Sequence, residues 1–260
     1  MRAPVILLVS GMTVWAPAND TLVAINGSPA SFGSKTTVRM VSEVVRVYLG
    51  SPIRVECDFV FKNEGPACEV KMGFPNGWCN DYDHDRPMKD PPLMRFRSTV
   101  DGRSVKVRKS WLPPDKYSIV DRFEIRQWFV KDVTFKRNQT RRVRNTYMVY
   151  SGYSGSWGNA EEFTQYVLAT GSTWKPKVER SEVIVYADRS SWPRGVEWIP
   201  WSVSIRDKVH GPDFWKRHPR AIVYSGPGKV TKTVRSIRFV ATHWVPDENV
   251  DLILHVRPGR

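Results

Sequence analysis

Between Ile53 and Phe74 the chain places an apolar side chain at nearly every second position. Ile53, Val55, Cys57, Phe59 and Phe61 alternate with Arg54, Glu56, Asp58 and Val60, and Cys68, Val70, Met72 and Phe74 alternate with Glu69, Lys71 and Gly73. A period of two fits extended strands with one buried face, because successive side chains of a strand point to opposite sides. Lys62-Asn63-Glu64-Gly65-Pro66 between the two runs is turn chemistry. The segment therefore reads as a hairpin, with Cys57 opposite Lys71 or Met72.

The pattern recurs along the chain. Phe96 to Val100 and Arg103 to Val107 flank Asp101-Gly102, a pair that tolerates the positive φ of a type I′ turn, and this predicts a second hairpin. A third is expected where Trp128–Phe135 meets Arg141–Tyr150 across Lys136-Arg137-Asn138-Gln139. Further strands are expected at Phe163–Leu168, Val178–Tyr186, Val196–Ile205, Ala221–Tyr224, Val234–Trp244 and Val250–Val256, while Ser118–Gln127 is open to a short helix. The expected fold is all-β: antiparallel, β-sandwich-like sheets built from hairpins, as one large domain or as two packed subdomains over 36–115 and 116–260.

The N-terminus has another character. Met1-Arg2-Ala3-Pro4, an apolar run from Val5 to Trp15 and the small residues Ala16 and Ala18 have the layout of a signal peptide cut after Ala18. Residues 19–35 then read as a flexible leader rich in Gly, Ser, Asn and Ala. No later stretch has the length and apolarity of a membrane helix. The expectation is an extracytoplasmic protein, periplasmic or secreted.

Charge narrows the choice of partners. Forty lysines and arginines against 26 acids give a formal charge of +14, which favours anionic partners. Five basic residues, Lys136, Arg137, Arg141, Arg142 and Arg144, fall within nine positions, with Arg142 and Arg144 on the face opposite Val143, Tyr147 and Val149. They suit contact with a polyanion, or protection of an exposed sheet edge. Eleven tryptophans suit core packing or a contact platform, with Trp157 and Trp174 as candidates beside the basic residues. The expected partner is an anionic surface polymer, a glycan or an envelope protein, rather than nucleic acid.

Sites of chemistry are sparse. Asp81, Asp83 and Asp85 alternate in one loop and could wrap Ca2+, but a calcium loop wants Gly and Glu where Arg86 and Pro92 stand, and no other cofactor is suggested. Cys57, Cys68 and Cys79 form no CxxC pair and allow one bridge; in the expected hairpin register Cys68 is out of reach of Cys57, so the pair would be Cys57 and Cys79. Gly152-Tyr153-Ser154-Gly155-Ser156 lacks the second glycine of a nucleophile elbow, and no phosphate-binding glycine motif occurs. The reading is a non-enzymatic binding or structural module of the cell envelope with a basic, Trp-rich surface. The alternative is a secreted hydrolase of a cell-surface polymer acting through carboxylates that the sequence does not single out.

One resemblance rests on the order of landmarks. Met40-x-Ser42-Glu43 precedes a strand, and a pair of strands ends in Phe74-Pro75. Tyr166-x-Leu168-x-Thr170-Gly171-Ser172-x-Trp174-Lys175 precedes Ser181-Glu182-Val183, and Trp244-x-Pro246-Asp247-Glu248-Asn249-Val250-Asp251-Leu252 leads into the last strand. This order resembles a family of secreted bacterial proteins known as a domain of unknown function. The resemblance implies no activity, cofactor or catalytic residue.

Overall fold

The structure is a computed structural model describing residues 16–17, 21–25, 28–29, 36–79, 93–111, 118–120, 123–154, 161–167, 177–188, 190–202, 204–205, 212–244 and 252–256. In chain order its strands begin with β1 (Ala16–Pro17), β2 (Thr21–Ile25), β3 (Ser28–Pro29), β4 (Val38–Tyr48), β5 (Ile53–Asn63), β6 (Cys68–Cys79) and β7 (Met94–Val100). They continue as β8 (Arg103–Ser104), β9 (Arg108–Trp111), β10 (Ser118–Val120), β11 (Phe123–Phe135), β12 (Thr140–Val149), β13 (Gly152–Ser154) and β14 (Glu161–Val167). The remainder are β15 (Val178–Tyr186), β16 (Glu197–Pro200), β17 (Ala221–Ser225), β18 (Lys229–Lys232), β19 (Ser236–Trp244) and β20 (Leu252–Val256), with the helix α1 (Pro212–Arg217) before β17. The fold is all-β, as the alternation requires.

One large sheet of eight strands runs β18-β19-β15-β4-β5-β12-β7-β8. Two smaller sheets cover its inner face. One is β10-β11-β6-β2-β3 with β9 beside β11, and the other is β1-β14-β20-β17-β16 with β13 beside β14. The first contributes Phe74, whose ring centroid is 5.4 Å from that of Tyr147 in the large sheet. The second contributes Tyr224, 5.7 Å from Phe239. One apolar interior therefore runs under the whole large sheet, lined by Val45, Val47, Phe59, Phe61, Val183, Val185 and Phe239 from that sheet. A smaller cluster of Phe214, Trp215, Ala221 and Val223 packs α1 against β17.

Two expected hairpins are corrected. β5 pairs with β4 and β12, whereas β6 pairs with β11 and β2, so 64–67 carries the chain from the large sheet into a facing one. The same holds at Lys136–Gln139, because β11 and β12 lie in different sheets. An arch of this kind preserves the alternation while turning the strand edges out of register with each other. Periodicity reports which face is buried and not which strand supplies the hydrogen bonds. The expected opposition of Cys57 to Lys71 or Met72 falls with the hairpin: Cys57 lies opposite Val45 and Asn145, and Lys71 and Met72 lie opposite Asp132 and Lys131.

Asn63 locks the two arches together. Fully buried, it donates from Nδ2 to the carbonyls of Pro66 (2.6 Å) and Lys136 (3.1 Å) and accepts at Oδ1 from Thr37 Oγ1 (2.7 Å) and Gly65 N (3.0 Å). Its backbone N–H donates to Gln139 O at 2.9 Å. Gly65 allows the close approach: a Cβ there would lie 2.4 Å from Thr37 Cγ2.

The Asp101-Gly102 hairpin is as expected, with φ of 50° and 78° and Val100 opposite Arg103. Within the stretch open to a helix, Ser118–Val120 (β10) and residues 123–127 (the start of β11) are extended, not helical. Within 19–35, Thr21–Ile25 and Ser28–Pro29 form strands, with β2 paired to the free edge of β6. The large sheet interleaves both expected subdomains, since β4 and β5 sit between β15 and β12.

Candidate functional site

The outer face of the large sheet is built by the residues that alternate with the core. In β4 these include Val44, Arg46 and Tyr48, in β5 Arg54, Glu56 and Asp58, in β12 Arg142 and Arg144, in β15 Arg180, Glu182, Ile184 and Tyr186, and in β19 Arg238 and Val240. Five guanidinium groups share three carboxylates. Arg238 clamps Glu182 through Nε at 2.6 Å and Nη2 at 3.0 Å, and Arg180 reaches the same carboxylate at 3.0 Å. Arg46 pairs with Asp58 at 2.5 Å, and Arg144 bridges Glu56 at 2.8 Å and Asp58 at 3.8 Å, with Arg54 also on Glu56.

These groups span five adjacent strands, β19 to β12, or about 19 Å at the usual strand spacing. Arg142 and Arg97, both exposed, add positive charge at the β12 and β7 side. Toward one end of the same face Tyr48 and Tyr186 stack with ring centroids 5.0 Å apart, and the Arg54 guanidinium lies 3.9 Å above the Tyr48 ring. The face therefore combines surplus cationic charge with an aromatic pair, the two elements that hold acidic groups and planar or ring-shaped units.

Glu182 and Asp132 are poor candidates for acid catalysis. Hydrogen bonding to Arg238, opposed by burial and reinforced by Arg180, holds the Glu182 carboxyl below the usual carboxylate range. Asp132, on the outer side of β11, is held low chiefly by Arg108, against burial and with help from Lys71. A general acid at neutral pH requires the opposite shift.

The expected basic cluster is divided by the fold. Arg142 and Arg144 project from the outer face, opposite the buried Val143, Tyr147 and Val149. Lys136 and Arg137 sit exposed at the tip of the arch. Arg141 is a brace: its Nε donates to Thr134 O at 2.6 Å and its Nη1 pairs with Asp101 at 2.9 Å. Edge protection does not explain Arg142 and Arg144, because β12 is flanked on both sides by β5 and β7. The edges of this sheet are the short strands β18, with Lys229 and Lys232, and β8, with Arg103.

Among the described residues the tryptophans lie mostly inside, with Trp201 and Trp244 half-buried. Trp128, Trp192, Trp198 and Trp215 are buried, and Trp111 is the exposed one, at 57%. Large indoles fill the space between sheets more readily than they decorate a charged face. Trp157, Trp174, Asp81, Asp83 and Asp85 lie outside the described residues, as does the Cys79 side chain. Cys57 carries a thiol whose Sγ is 3.5 Å from Tyr166 Oη.

Sequence reading missed Arg46, Arg54, Arg180 and Arg238, together with Tyr48 and Tyr186. Each alternates with core residues in its own strand, but only the strand order places positions 46, 180 and 238 side by side.

No protein-family model matches the chain, and no curated protein matches it. Among solved structures it is similar to a Legionella pneumophila protein provisionally named a nutrient binding protein, with 15% identity and a TM-score of 0.61 over 95% of this chain and 71% of that one. A weaker likeness joins it to an M1 zinc metallopeptidase from Deinococcus radiodurans, with 12% identity and a TM-score of 0.44 over 86% of this chain. The chain spans 43% of that metallopeptidase. At such identity the first likeness establishes a shared fold.

Proposed function

We propose that the chain is an exported, non-enzymatic binding module that holds an anionic surface polymer, an acidic glycan, on the outer face of its large sheet. The observation that carries this reading is the surplus of guanidinium groups on interior strands, where protection of an edge gives no reason for them. Arginine suits the role because its planar fork matches carboxylate and phosphate groups in two-point contacts. Stacked Tyr48 and Tyr186 add a flat surface for a sugar ring. The binding role given to the Legionella protein by its name is compatible with this reading. Export rests on the layout of residues 1–18, and no helix among the described residues is long and apolar enough to cross a membrane.

The test is a titration of the secreted chain, beginning at Asn19 by mass, with heparin as the probe polyanion at rising salt. Affinity is expected to fall steeply, because binding releases counterions from the polymer. Replacing Arg142 and Arg144 by Gln is expected to flatten the logarithmic salt slope by roughly one for each of the two arginines that engages the polymer. Melting should fall only modestly, because Arg54 stays on the Glu56 carboxylate when Arg144 is replaced. Unchanged affinity and slope in the double variant would overturn the assignment of this face.

A further inference from the structure

β11 and β12 follow one another in the chain but lie in facing sheets, so Lys131 and Asn145 enter the same interior from opposite sides. Both are fully buried, and Lys131 is the only buried lysine or arginine among the described residues. Its Nζ is 3.3 Å from Asn145 Oδ1. Lys131 lies on β11 opposite Met72 of β6, one residue past the stretch paired with β9, and Asn145 lies on β12 between Cys57 of β5 and Ser98 of β7. The walls around them are largely apolar and aromatic, with the Cys57 thiol and the Ser98 hydroxyl on the strands either side of Asn145. Phe129 and Val133 flank Lys131, and Phe74 and Phe96 pack with Tyr147, two positions along from Asn145 on the same face.

An amine and a carboxamide held this close and fully buried are placed for acyl transfer. Attack requires the amine in its neutral form, with the nitrogen lone pair open to form the new bond. Fixing the two groups on rigid strands removes the entropic cost of bringing them together, which in well-oriented intramolecular reactions is a very large factor.

We propose that Lys131 and Asn145 are joined by an intramolecular isopeptide bond that ties the two sheets together. The Nζ lone pair attacks Cγ of Asn145 and a new Nζ–Cγ amide bond forms. The Cγ–Nδ2 bond breaks, and Nδ2 takes one proton from Nζ and leaves as ammonia. Nothing is oxidised or reduced, and no second reactant is consumed. The link closes the arch Lys136–Gln139 from within, joining positions 131 and 145 across the interlayer. It does not depend on what the outer face binds.

The experiment is mass spectrometry of the folded full chain, intact and after trypsin with a second protease. The expected result is a mass one ammonia lower than that calculated for the chain from its observed N-terminus, no tryptic cleavage after Lys131, and a branched peptide joining the Lys131 and Asn145 segments. Lys131→Met and Asn145→Ala are each expected to restore the full mass, whether or not they fold as well as the parent. Folded parent protein with the full sequence mass and ordinary cleavage after Lys131 would show a simple hydrogen bond between the two side chains, and the proposal would be wrong. An ammonia loss that maps to another asparagine overturns it equally.

Discussion

At the scale of single residues, the buried polar side chains decide how the sheets are joined. Asn63 satisfies carbonyls from both arches and accepts from Thr37 and Gly65, and so stands where three pieces of chain meet. Asn63→Ala would leave several of these buried groups without a partner, at a cost of about 3 kcal/mol. Urea denaturation checks this, and a loss well under 1 kcal/mol would mean that water replaces the amide. Glu43 reaches the interior because a bulge between Met40 and Ser42 changes which side chains of β4 face inward. There its Oε1 accepts from Ser181 Oγ at 2.6 Å. The sequence shows an ordinary Ser42-Glu43 pair and gives no sign of a carboxylate inside.

At the scale of elements, the β15–β19 pairing is reinforced by the clamp of Arg238 on Glu182. The folded-state pKa of Glu182 is lowered relative to that of the unfolded chain. Its contribution to stability is therefore full above the ordinary carboxylate range and is lost as pH falls through the folded value. Comparison of the parent with Glu182→Gln by chemical denaturation at several pH values should show a stability gap at pH 7 that closes on acidification below about pH 4. A gap that stays constant with pH would show that the clamp acts through shape and hydrogen bonding rather than charge. The Asp101-Gly102 hairpin was legible in advance because turn chemistry fixes its backbone locally. The two arches were not, because their turn residues and alternation are those of a hairpin.

At the scale of the whole molecule, the sheets share one interior and the large sheet draws neighbouring strands from distant parts of the chain. β4 and β5 fill the gap between β15 and β12, so the segment 116–260 alone would expose two long strand edges and an uncovered apolar face. That fragment is expected to remain unfolded or to aggregate. Circular dichroism and NMR dispersion of the purified fragment check this, and a cooperatively melting fragment would show that the segment is an independent unit.

The sequence by itself determined the all-β class, the positions of most strands, one hairpin and the side of each strand that faces the core. These follow from periodicity and local turn chemistry, which act over a few residues. It also placed Arg142 and Arg144 on a wet face, because alternation with Val143 allows nothing else. Only the tertiary structure decided which strands pair, and hence that Arg46, Arg180 and Arg238 share one surface with Arg144. Only it brought Lys131 beside Asn145, since in a hairpin the two would lie within one sheet rather than facing each other across the core. The physical reason is that strand pairing is chosen by backbone hydrogen bonds, which are the same for every residue, and by packing between segments far apart in the chain.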